Sequence, residues 1–141
     1  MNSFNMEDIT VGMEQSFTVT VTEAMVQSFM QMSGDVNPLH TDKEYAANAG
    51  YSNIVVYGML TASFYSTLAG VYLPGANCLL YEVDSQFTKP VFPKDTLTVS
   101  GKVSEVNSVL HCITMKATIR NQRGEKVSRA KIVAGIRGQG E

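Results

Sequence analysis

Asp35 and His40 are the residues whose types and spacing can do acid–base chemistry in this chain. They lie in Ser33-Gly34-Asp35-Val36-Asn37-Pro38-Leu39-His40, which holds one of only two histidines among the 141 residues. An acid stands five residues before a base. Between them, Pro38 fixes its own φ and biases Asn37 away from the helical region, so the pair favours a turn. A bent segment can aim a carboxylate and an imidazole at one spot, which a regular strand or helix does poorly at that spacing. Blander roles exist for the same residues. Asp35 and Asn37 can simply cap and turn the chain. Asp35, His40 and Asp42 can ligate a metal, although one histidine with two carboxylates is a poor metal signal and none is expected. The other histidine, His111, begins a strand with no partner in the pattern and is expected to be structural.

The flanking stretches must hold that bend in place. Glu14 to Thr20 alternates weakly and predicts a short strand. Thr22 is a good N-cap for a helix from Glu23 to about Met32, on which Met25, Val26, Phe29 and Met30 form one apolar face. Gly34 lets the chain leave that helix. Asp42 to Asn48 predicts a second, short helix ending at Gly50. From Gly58 to Tyr72 there is no charged residue. A helix without a polar face is a buried one, and fifteen residues make a rod of roughly 22 Å, too short to span a membrane.

Something must wrap that rod. Leu79, Tyr81, Val83 and Phe87 alternate with polar neighbours, as do Leu97, Val99 and Val103, then Ile113, Met115, Ala117 and Ile119, then Ala130, Ile132, Ala134 and Ile136. Four such runs joined by short connections predict an antiparallel sheet with one wet and one dry face. The dry face needs an apolar partner, and Gly58–Tyr72 is the candidate long enough to fill it. The expected fold class is α+β, a single domain over residues 1–141 with a curled antiparallel sheet around one long buried helix.

Composition narrows the function. A content of 44% hydrophobic and 17% charged residues is ordinary for a globular domain. The net charge of -2 suggests neither a nucleic acid nor an anionic membrane as partner. The first residues are acidic and show no signal peptide, and no apolar run reaches the roughly 18 residues of a spanning helix. Cys78 and Cys112 lack CxxC spacing and are expected to be reduced thiols, which points to the cytoplasm.

With this order of elements in view, the chain resembles the MaoC-like, (R)-specific enoyl-CoA hydratase family, which has the hot-dog fold. The residues that carry the resemblance are the string Ser33 to His40, Asp42, Tyr45-Ala46, Gly58-Met59-Leu60, Ala62-Ser63, Leu73-Pro74-Gly75, Phe87-Thr88-Lys89-Pro90-Val91 and Asp95. The likeness runs from about Val11 to Ile136. One departure is plain: the family usually has His-Gly where this chain has Tyr57-Gly58, which bears on the lining of the pocket. The resemblance implies that Asp35 and His40 hold a water that adds across the C2–C3 double bond of a trans-2-enoyl thioester. That chemistry needs a base for the water proton and an acid that delivers one to C2. The resemblance also implies that Asn37 braces the site and that the Gly58 N–H, at the positive end of the helix, stabilises the enolate oxygen. It implies a supporting role for Ser63. Lys89 and Lys94 are candidate contacts for the phosphates of coenzyme A or an acyl-carrier protein. No cofactor is expected, coenzyme A being part of the substrate.

Two rivals belong to other classes. A hot-dog thioesterase also needs a carboxylate near a helix N-terminus but releases free thiol. A non-catalytic acyl-thioester-binding subunit would bind without turnover. The resemblance further implies a homodimer with the pocket built across its interface.

Overall fold

The computed structural model describes residues 1–138. Strand β1 (Glu14–Thr20) leads into helix α1 (Glu23–Ser33). The Met25 N–H donates to Thr22 Oγ1 at 3.1 Å, which starts the helix. Gly34, at φ 74°, ends it in the left-handed region that a side chain disfavours. The expected Asn37-Pro38 turn is a one-turn helix, α2 (Pro38–Thr41). Pro38 sits at its first position and the Asn37 carbonyl oxygen Oδ1 caps it by accepting the Leu39 N–H at 3.0 Å. Helix α3 (Lys43–Asn48) follows, capped by Asp42, whose Oδ1 accepts from the Glu44 and Tyr45 N–H groups.

Four further strands, β2 (Cys78–Phe87), β3 (Thr96–Asn107), β4 (Cys112–Arg120) and β5 (Lys126–Ile136), join β1 in one antiparallel sheet of order β1-β3-β4-β5-β2. On its wet face Lys102, Lys116 and Lys131 stand in register across β3, β4 and β5. Glu14 and Glu82 approach the outer two lysines at 3.6 and 3.5 Å, which eases the like-charge repulsion. The dry face contributes Leu97, Val99, Met115, Ile119 and Ile132 to the core.

Helix α4 (Gly58–Thr67) and the π-helical turn that continues it (Leu68–Tyr72) pack into that face. Leu60, Tyr65, Leu68 and Ala69 are buried there. Two expectations need correction. The rod is not buried all round: Met59 is 66% exposed, and Ser63 and Ser66 share its open side. Nor do Leu79, Tyr81 and Phe87 lie on a covered face; all three are exposed. The reason is common to both. β2 is an edge strand, so one sheet covers the helix on one side only and leaves the apolar residues of the edge open.

The tightest approach of helix to sheet is at Gly101 of β3. A Cβ there would stand 2.8 Å from Leu68 Cδ2. The absence of a side chain on the strand is what lets Leu68 reach the sheet. Gly101→Val is therefore expected to destabilise the fold by about 1–3 kcal/mol through overpacking, despite valine's preference for strands. Urea unfolding measures it; an unchanged midpoint would show that Leu68 has room to move.

Candidate functional site

The site begins with how α2 meets the segment that enters α4. Val55 is gripped through both of its backbone polar groups. Its N–H donates to Leu39 O at 3.0 Å, and its carbonyl oxygen lies 2.5 Å from His40 Nδ1. A carbonyl can only accept, so Nδ1 carries the proton. In the neutral ring, Nε2 is then the nitrogen with a free lone pair. The next residue continues the anchoring, the Val56 N–H donating to Val91 O at 2.8 Å.

Tyr57 joins the two halves of the site. It is 2% exposed. Its hydroxyl donates to the Asp35 backbone carbonyl at 2.5 Å. Its ring lies against the His40 imidazole, centroids 4.1 Å apart and tilted by 31°, and against Phe29 at 4.7 Å. Burial, and after it the negative charge of Asp35, raises the phenol's pKa above its ordinary value, so it remains a donor at neutral pH. The carboxylate of Asp35 is exposed, and its Oδ1 accepts the Asn37 N–H at 3.1 Å. Asn37 thus braces the bend twice, by its N–H to Asp35 and by its side chain to α2.

Gly58 is the first residue of α4, so its N–H has no carbonyl partner within the helix. It shares a cleft of about 310 Å³ with His40, Thr61, Phe87, Lys89 and Val91. A Cβ on Gly58 would stand 3.2–3.3 Å from the Phe87 ring, so glycine keeps the space between helix start and β2 open. An imidazole and an unpaired amide at a helix N-terminus facing one cleft can handle a proton and a developing oxyanion together.

The remaining candidates divide. Ser63 is exposed and donates to Leu60 O at 2.5 Å. It lines a separate apolar groove of about 400 Å³ between α1 and α4, with Met25, Phe29 and Phe64, and is not brought to His40. Lys89 does line the cleft, with its ammonium 2.5 Å from Glu125 Oε2. That contact first, then Arg123 and Asn121, holds the Glu125 carboxyl down at about 2. Lys94 is not among the cleft's lining residues; it sits at φ 79° in the turn before Asp95, its N–H bonded to Val21 O at 2.7 Å. Asp42 is engaged as the cap of α3. Sequence reasoning passed over Thr61, whose only signal was a hydroxyl three residues after Gly58, on the same helix face.

Comparison with known proteins gives the family and the fold. The MaoC-like domain family matches residues 6–124. The (R)-specific enoyl-CoA hydratase of Rhodospirillum rubrum is 30% identical over 112 residues, 79% of this chain and 78% of that protein. The (R)-specific enoyl-CoA hydratase of Aeromonas caviae is 31% identical over 118 residues, 84% of this chain and 88% of that protein. An unliganded R-hydratase structure from Pseudomonas aeruginosa superposes with a TM-score of 0.91 at 27% identity, covering 97% of this chain and 88% of that one. The curled sheet about α4 is thus a hot-dog fold, and the chain belongs to the MaoC-like domain family.

Proposed function

We propose that this chain is a hydro-lyase that adds water to a trans-2-enoyl-CoA to give the (R)-3-hydroxyacyl-CoA, or runs the reverse dehydration. Its membership in a hydratase and dehydratase family makes it an enzyme of the lyase class. The observation that carries the finer reading is the pairing of His40 and the Gly58 amide in one cleft, with the imidazole proton committed to Val55 O.

The chemistry follows from those groups. A water held by the Asp35 carboxylate and His40 Nε2 loses a proton as its oxygen bonds to C3. The C2–C3 π electrons move toward the thioester carbonyl, whose oxygen becomes an enolate. The Gly58 N–H, at the positive end of the α4 dipole, stabilises that oxygen. Return of a proton to C2 restores the carbonyl and completes the addition of water. With Nδ1 bonded to a carbonyl, Nε2 is the ring atom free for the transfer. Lys89, which lines the cleft, supports a contact to a phosphate of coenzyme A or of a carrier-protein arm, in exchange for Glu125.

We also infer a homodimer. β2 ends the sheet with unpaired backbone groups and exposes Leu79, Leu80, Tyr81 and Phe87, and Met59 of α4 is exposed as well. A long apolar edge is a template for another strand, and a second copy's β2 fits it. The Phe87 end of that edge also lines the cleft.

Three outcomes are expected. Wild-type protein removes the enoyl-thioester absorbance of crotonyl-CoA without releasing free thiol, and Asp35→Asn or His40→Gln lowers kcat by about 10²- to 10⁴-fold. Full activity in either variant refutes that residue's role, and thiol release by the wild type points to a thioesterase instead. Tyr57→Phe keeps the ring packing but frees the Asp35 carbonyl, so kcat falls by about 10- to 100-fold with KM little changed; equal kcat values would make the hydroxyl idle. Sedimentation gives a dimer for wild type and a shift toward monomer for Leu79→Lys, whereas a wild-type monomer at working concentration contradicts the edge pairing.

A further inference from the structure

Among the described residues, Thr61 Oγ1 is the buried side-chain polar atom that meets no hydrogen-bond partner. The residue is 2% exposed. Its N–H is already used, donating to Tyr57 O at 3.1 Å as a turn of α4. A helical threonine commonly turns its hydroxyl back onto a carbonyl one turn earlier, and Thr61 does not. Elsewhere in the same core a buried phenol is matched: the Tyr65 hydroxyl donates to Ser128 Oγ at 2.8 Å. A hydroxyl removed from water without a partner disfavours the fold, and valine would fill the same volume without that cost. Stability alone therefore does not account for threonine at this position.

Its location supplies a reason. Thr61 lines the cleft that also holds His40 and Gly58. It lies three residues after Gly58, on the same face, and a helical Cα–Cβ bond leans toward the N-terminus, here toward the Gly58 amide. The same lining includes Val56, Val91 and Val127, which offer no side-chain polar group, and Thr88 and Lys89, whose polar groups are engaged by Lys126 O and Glu125. The exposed hydroxyls of Ser63 and Ser66 on the open side of α4 are not part of that lining.

We propose that the Thr61 hydroxyl is a catalytic residue that donates a hydrogen bond to the thioester oxygen of the bound acyl substrate, a second donor beside the Gly58 N–H. The proposal rests on the hydratase reading above. The substrate oxygen supplies the partner that the fold withholds. As the enolate forms, charge on that oxygen grows and the bond to the hydroxyl strengthens, so its loss is felt in kcat more than in KM.

The test compares wild type, Thr61→Val and Thr61→Ser for crotonyl-CoA hydration and for thermal unfolding without substrate. Expected for Thr61→Val is a fall in kcat of about 10- to 100-fold, with a melting temperature equal to or above that of wild type. Expected for Thr61→Ser, which keeps the hydroxyl, is most of the wild-type kcat. An active Thr61→Val overturns the proposal. So does a Thr61→Val variant that loses melting temperature along with activity, which makes the hydroxyl structural, or a Thr61→Ser variant as impaired as Thr61→Val, which makes the methyl the part that matters. A wild type inert toward enoyl thioesters overturns the hydratase reading itself, and with it this role for Thr61.

Discussion

The hydrogen bond between His40 Nδ1 and the Val55 carbonyl is the interaction on which the rest of the site depends. It sets which imidazole nitrogen carries the proton, and so which one keeps a free lone pair. It also joins two stretches that are remote in sequence, the bend around Asn37-Pro38 and the entry to α4. With the Leu39–Val55 bond beside it, the contact clamps the two peptide units that flank the Val55 Cα. The base and the amide of Gly58 are thereby placed relative to one another by backbone atoms, which have fewer ways to shift than long side chains.

The sheet has a second constraint to meet. A helix without charge must be taken out of water, and five strands in the order β1-β3-β4-β5-β2 cover one side of it. The other side, at Met59, and the apolar residues of the β2 edge stay exposed. The site lies at the junction of the covered and the open regions. Gly58 is where they meet, since its bare Cα faces the Phe87 ring at the end of the edge strand.

Much of this was legible in the residues because it obeys local rules. Thr22 and Gly34 bound α1 by capping and by a positive φ, and both are readable without knowledge of tertiary structure. The alternation of β3, β4 and β5 names their buried faces correctly. Alternation cannot say which strand lies at the edge, so Leu79, Tyr81 and Phe87 looked like core and are not. Asn37-Pro38 signals a turn and a helix start equally well, and the structure uses it as a helix start. Ser63 and Thr61 are two residues apart on one helix, so they point to different sides, and only the packing of α4 shows which side meets His40. The link from Tyr57 to Asp35 spans 22 positions, and that from Lys89 to Glu125 spans 36; no local pattern encodes either.

Tyr57 has a consequence for how the site tolerates motion. It is the residue immediately before Gly58, its ring rests on His40, and its hydroxyl holds the carbonyl of Asp35. A displacement of the start of α4 is therefore passed on to the Asp35 backbone and the His40 ring. Tyr57 thus couples the start of α4 to the Asp35 backbone and to the His40 ring through one side chain. The residue that fills the place before Gly58 is for this reason also the one that ties the bend around Asn37-Pro38 to the helix it faces.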